Sequence, residues 1–278
     1  MSNYSLQGEF TMYVGLLTAP FIDQSLDVIA KWAAGAGFKA LEVYVDQIDL
    51  GAVLADNGTA VKRVLAETGI SISSFAYYVG FDEGYSARMR EIIAAADVLG
   101  VDTVCTFAGF PEAGKSKVDT IMQVVPKVIN PLAEEAARSG VRLAFENWFE
   151  TNLQNLECFA ALCEALPQEN VGFNFDPSHL HWQGIDVVGA VQEFGARIFH
   201  THAKDVTIYP TKLARLGVKA YGWWEYSIPG YGAVPWGPYL RALRQAGYNG
   251  VLSIEHEDPT YNAEEGFVKG LKFLSGLM

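Results

Sequence analysis

The sequence predicts a (β/α)8 barrel, the TIM-barrel fold, with residues 1–278 forming a single domain. Three observations carry that expectation. Eight short runs weighted towards β-branched and aromatic residues alternate with eight helical patterns, with no linker between them. A chain of 278 residues, half of them hydrophobic, is long for an average domain and usual for one barrel. The first strand–helix turn, Tyr13-Val14-Gly15-Leu16-Leu17-Thr18, holds one glycine. It therefore lacks the G-x-G-x-x-G of the doubly wound open sheet, the other fold that such alternation suggests.

The elements follow in order. Strands are expected at 12–17, 38–45, 70–77, 101–107, 141–146, 171–176, 197–202 and 251–255. Helices are expected at 25–34, 59–67, 86–99, 118–139, 155–166, 187–194, 238–246 and 263–277, several closed by a glycine such as Gly37 or Gly100. Pro126 and Pro131 should kink or split the fourth helix. The stretch at about 206–235 is long, irregular and rich in Tyr, Trp, Gly and Pro. Its aromatics Tyr221, Trp223, Trp224 and Tyr226 predict an ordered lid.

Composition narrows the function. Lys and Arg number 20 and Asp and Glu 32, a net charge of −12 that repels polyphosphate backbones, so no nucleic-acid partner is expected. Three cysteines with no C-x-x-C fit a reduced, cytoplasmic protein. No signal peptide and no membrane-spanning segment are expected.

In a barrel, chemistry belongs at the C-terminal ends of the strands. The fifth strand ends in Ala144-Phe145-Glu146-Asn147-Trp148 and the sixth in Asn174-Phe175-Asp176-Pro177-Ser178-His179. The seventh ends in Phe199-His200-Thr201-His202-Ala203-Lys204-Asp205 and the eighth in Ile254-Glu255-His256-Glu257-Asp258. Alternate residues of a strand share a face, so His200, His202 and Lys204 should point one way. Glu146, Asp176, His202 and Glu255 offer three carboxylates and one imidazole on one rim. Buried carboxylates repel one another unless a cation neutralises them. An O3N set suits Mn2+ first, or Mg2+, with Co2+ or Zn2+ possible.

The pieces FENW, NFDPSH, HTHAKD and SIEHED resemble those of the xylose-isomerase-like TIM-barrel superfamily, most closely its sugar (phosphate) isomerases and epimerases. The resemblance implies that Glu146, Asp176, His202 and Glu255 bind one divalent metal and that His179 contacts substrate. It implies an isomerase or epimerase acting through an enediolate, with Glu146 and Glu255 as acid and base on opposite flanks of the substrate. A dehydratase or lyase on a keto-sugar, inosose or keto-glycoside is the alternative, and a non-catalytic sugar-binding barrel a further one. Lys204, Asn147 and Trp224 are further candidates for substrate contact, with a rim contact the alternative for Lys204 and orienting a metal ligand the alternative for Asn147, and His200 should support from a deeper layer. No phosphate cradle stands out, which favours a free sugar as the small-molecule partner. Members of the family are usually homo-oligomers, and the same is expected here.

Overall fold

The computed structural model describes residues 12–278. Ten strands form among the described residues: β1 (Tyr13–Leu17), β2 (Ala40–Tyr44), β3 (Ser71–Tyr77), β4 (Thr103–Thr106), β5 (Arg142–Glu146), β6 (Val171–Phe175), β7 (Ile198–Ala203), β8 (Asp205–Ile208), β9 (Trp224–Ser227) and β10 (Val251–Ile254). Eight of them close a parallel barrel in the order β1-β10-β7-β6-β5-β4-β3-β2, while β8 and β9 pair as a separate antiparallel hairpin. The expected barrel is therefore the fold, and β10 is its eighth stave.

Alternation along the strands explains how the core is divided. On β6, Phe173 and Phe175 face outward; Phe173 packs on Phe159 of the helix Leu156–Ala165, with ring centroids 4.4 Å apart, and Phe175 stacks on Tyr239 of the helix Trp236–Gln245. Their neighbour Asn174 points into the barrel, where it meets His200. The layer between strands and helices is apolar, with Leu41, Val43, Phe75, Val104, Leu143, Phe145, Leu252 and Ile254 all fully buried. It supplies the hydrophobic stabilisation of the fold. The barrel interior is polar by contrast, and the staves β5, β6, β7 and β10 carry most of it.

The expected split of the fourth helix occurs at one of its two prolines, and the expectation for the 206–235 stretch needs correction. The 118–139 segment divides at Val124, giving helices Lys117–Gln123 and Val125–Arg138. Pro126 sits in the first turn of the second helix, where its missing N–H is harmless, but Pro131 lies inside that helix without ending it. The 206–235 stretch is also more regular than expected. It holds the β8–β9 hairpin, and between those strands a helix Pro210–Leu216. No helix among the described residues is long and apolar enough to cross a membrane.

Candidate active site

The strand parity that puts Phe173 and Phe175 outside brings four side chains together inside. Glu146 ends β5, Asp176 follows β6, His202 lies near the end of β7, and Glu255 follows β10. One potential ligand atom from each lies within 4.8 Å of those of the other three. His202 turns Nδ1 towards Glu146 Oε1 at 3.1 Å and Glu255 Oε2 at 3.0 Å. Asp176 Oδ1 caps the short helix Pro177–His181 by accepting from the Ser178 amide at 2.7 Å. Its Oδ2 is buried and accepts no hydrogen bond. A buried carboxylate oxygen with no well-formed hydrogen bond, its nearest cation Lys204 Nζ at 3.2 Å, beside two more carboxylates and an imidazole fits a divalent cation with hard to borderline preference. These four residues would hold it.

Beneath that quartet lies a second tier. Glu42 on β2 is fully buried and points its carboxylate at His202 Nε2, 3.1 Å away. Tyr78 donates to Glu42 Oε1 at 2.5 Å and Ser253 donates to Oε2 at 2.7 Å. Burial alone would raise the Glu42 carboxyl, but the neighbouring His202 and His200 and these hydrogen bonds bring it down to about 2. His202 is disfavoured as a cation by burial, yet Glu42, Glu255 and Glu146 raise it well above the ordinary imidazole value. A cation bound at Nδ1 would replace that proton, with Nε2–H still donated to Glu42. This is the carboxylate–histidine arrangement that fixes ring orientation in metal sites.

His200 sits lower still. Its Nδ1 lies 2.9 Å from Asn174 Oδ1 and its Nε2 3.1 Å from Ser74 Oγ. Burial lowers its pKa to about 4. Lys204, next in register above His202, is 1% exposed. Its Nζ donates to Glu255 Oε2 at 2.6 Å and Glu257 Oε2 at 2.9 Å, and lies 3.2 Å from Asp176 Oδ2. Burial opposes its charge, and those three carboxylates more than compensate, holding the ammonium well above its usual range.

Above the quartet opens a cavity of about 270 Å³. Phe107, Trp148, Phe149, Trp224 and Tyr226 wall it, while Glu146, His179, Lys204, Glu255 and Glu257 supply its polar groups. Asp205 anchors the hairpin over this opening. Its carboxylate accepts from the Val206, Gly230 and Val234 amides and from Trp236 Nε1, all at 2.8–2.9 Å. The segment Pro229-Gly230-Tyr231-Gly232 wraps that carboxylate closely. A Cβ on Gly232 would come within 2.3 Å of Asp205 Oδ1, so no larger residue fits.

The sequence-predicted residues separate into those that meet and those that do not. Glu146, Asp176, His202, Glu255, His179 and Lys204 converge, and Trp224 lines the cavity. Asn147 does not reach the cavity. Its amide bonds Asp176 at both ends, donating to the carbonyl and accepting from the N–H, each at 2.8 Å. It therefore orients a neighbour instead of reaching substrate. Lys204, a candidate for substrate contact, does line the cavity, but its ammonium is already enclosed by carboxylates. Trp223 is buried too, packed edge-on to Trp182. Sequence reasoning missed Glu42, Tyr78, Ser253, Glu257, Phe107 and Phe149. Glu42 did leave a signal: an acid between Leu41 and Val43 in a buried strand has nowhere to point but into the barrel. Ser253 and Glu257 left one too, since they stand two residues either side of Glu255 and alternation puts them on its face; Tyr78, Phe107 and Phe149 left none, because they come from separate staves and loops.

Comparison with known proteins adds the family context. The family described as "Xylose isomerase-like TIM barrel" matches residues 30–277. The uncharacterised protein YfiH of Bacillus subtilis is 31% identical over 202 residues, 62% of this chain and 64% of that one. An inosose dehydratase of Clostridium botulinum (strain Eklund 17B) is 29% identical over 264 residues, 86% of this chain and 85% of that one. The chain spans about half to two thirds of the length of the first curated relatives it matches. Among solved structures, IolI protein with a bound zinc atom superimposes with a TM-score of 0.76 at 18% identity, covering 96% of this chain and 98% of that one.

Proposed function

The chain belongs to the xylose isomerase-like TIM barrel family, and on that premise we propose that it is a divalent-metal-dependent enzyme that removes a proton from carbon beside a carbonyl in a small, uncharged sugar or cyclic keto-polyol, as an isomerase or epimerase. The observation that carries this reading is the pair of carboxylates flanking one imidazole nitrogen: Glu146 at 3.1 Å and Glu255 at 3.0 Å from His202 Nδ1.

Glu146, Asp176, His202 and Glu255 would hold the cation, with Mn2+ the first choice for three oxygens and one nitrogen and Mg2+ or Zn2+ also compatible. When bound, the cation polarises the carbonyl and offsets the negative charge that grows on oxygen as the proton leaves. The residues do the rest. One glutamate accepts the proton from carbon, and a carboxylic acid on the other flank returns a proton to the opposite face, inverting the centre. Return to the adjacent carbon from the first flank instead moves the carbonyl. The aromatic wall excludes water while carbon carries negative charge, and offers flat apolar faces to a ring.

A second reading has its own support. The relative covering 86% of this chain is named inosose dehydratase, and a dehydratase begins with the same proton transfer. Elimination also needs a proton for the departing hydroxyl, and the buried Lys204 ammonium lies beside Glu255 at 2.6 Å as a donor.

One experiment separates them. The manganese-loaded protein is incubated in D₂O with ketoses, an inosose and a keto-glycoside, and the products are weighed. Deuterium uptake without loss of mass supports isomerisation or epimerisation, whereas loss of water or of the aglycone supports elimination. No exchange on any of them overturns both.

A further inference from the structure

The lid hairpin contributes one hydroxyl to the cavity, and the hydrogen atoms around it can be assigned from chemistry. Tyr226 lies on β9 and lines the cavity. Its hydroxyl is 2.7 Å from His179 Nδ1, and its ring lies over the Lys204 ammonium, 4.4 Å from Nζ to centroid. The other nitrogen of the same imidazole, His179 Nε2, is 3.2 Å from Lys204 Nζ.

An ammonium has donors only. Lys204 therefore donates to Nε2, and Nε2 is the lone-pair nitrogen of that ring. The nearby carboxylates do not alter this. Asp176 Oδ2 at 3.5 Å and Glu146 Oε1 at 3.7 Å are well beyond the length of a charge-assisted hydrogen bond. The ring hydrogen then sits on Nδ1 and is donated to the Tyr226 oxygen. Tyr226 keeps its own hydrogen, because burial pushes its phenol further up than the Lys204 charge pulls it down. That hydrogen finds no acceptor among the described residues. A half-buried donor with its lone pair engaged and its hydrogen free, on the wall of a ligand cavity, is placed to serve as a recognition element.

We propose that the Tyr226 hydroxyl is a specificity-determining donor, reserved for one oxygen on the lid side of the substrate and aimed by the chain Lys204–His179–Tyr226. This rests on the sugar or keto-polyol reading above. It goes beyond aromatic stacking, because it requires the substrate to carry an acceptor oxygen at one defined carbon.

Two measurements test it. The first uses no substrate: ¹⁵N-histidine NMR of the magnesium-loaded protein should find His179 as the Nδ1–H tautomer. An Nε2–H tautomer overturns the assignment. The second compares wild type with Tyr226→Phe, which retains the ring over Lys204, by calorimetric titration with an inosose and its monodeoxy analogues. The variant should bind the inosose about tenfold more weakly. It should bind one deoxy analogue as tightly as the wild type does, since donor and acceptor are then both absent. Equal binding of the inosose by both proteins, equal weakening across every analogue, or no binding of these probes by the wild type overturns the proposal. Failure of proton exchange in the wild type, with this binding pattern intact, would instead sink the reaction assigned above and leave the role of Tyr226 standing.

Discussion

His200 and His202 stand on one strand and face one interior, yet the two tiers of the barrel they occupy are different chemical places. His202 meets carboxylates on every side, with Glu42 at Nε2 and Glu146 and Glu255 at Nδ1. His200 hydrogen-bonds an amide oxygen and a hydroxyl, and its nearest carboxylate, Glu42, stands off at 3.7 Å from Nε2. The first is driven towards positive charge and the second is held neutral, with a pKa of about 4. Cys105 in the same lower tier is fully buried, which raises its thiol well above the usual range and keeps it neutral as well. A rise of two residues along β7 thus separates a tier that needs a cation from one that is already satisfied. Burial costs a charge nearly the same in both tiers, so the partners decide the outcome.

Four experiments would break or sharpen that contrast. Replacing His202→Ala should have the largest effect. It removes one of the four proposed ligands and leaves Glu42 buried without a cation, so bound metal should vanish on elemental analysis and stability should fall by about 3–5 kcal/mol in urea titration. Retained metal at wild-type stoichiometry would place the centre elsewhere. Next come Glu146→Gln and Glu255→Gln. Each should slow deuterium exchange by about 10²–10⁴-fold, with the fold preserved by circular dichroism.

Glu42→Gln touches no cavity residue except through His202. Metal affinity should drop by about 10–100-fold, read by competition with a chelator, while the cavity-lining tryptophans report an unchanged surrounding. An unchanged affinity would show that the imidazole holds its orientation without the carboxylate.

The smallest effect belongs to the lower tier. His200 takes a proton near pH 6.5 when unfolded and at about 4 when folded. Between those values the unfolded state binds more protons, so stability is lost as pH falls from about 6.5 to about 4, by about 3 kcal/mol. Below that window both states are protonated and this contribution stays flat. Glu42, whose folded value is about 2 against 4.5 as the ordinary one, continues the loss in the same direction at lower pH. His200→Gln should flatten the upper window in thermal melts while metal content and exchange stay within about twofold of wild type. Loss of metal in that variant would merge the two tiers into one.

Much of the fold was legible along the chain because a barrel is a repeat of local signals. Apolar runs such as Val171–Phe175 and closing glycines such as Gly100 report on their own neighbourhoods. The quartet was legible too, because strand parity is local: if His202 points inward, so do His200 and Lys204. Pro131 misled for the reverse reason. Its helix is held by burial of Ile129, Leu132 and Ala133, packing that the proline rule does not include. Asn147 shows the same limit, since nothing in FENW tells that its amide closes on the Asp176 backbone across the next stave.

What the sequence by itself determined was the barrel and the staves that bring acids and histidines to its rim, because hydrophobic periodicity and alternation act over a few neighbouring residues; the choice of Glu146, Asp176, His202 and Glu255 among them came with the family resemblance. Only the tertiary structure decided that Glu42 backs His202, that Lys204 is enclosed by Glu255 and Glu257, and that Tyr226 arrives over His179 from the hairpin. Those contacts join positions separated by 25 to 160 residues. Their energies depend on distance and local dielectric, and both exist only once the barrel has closed.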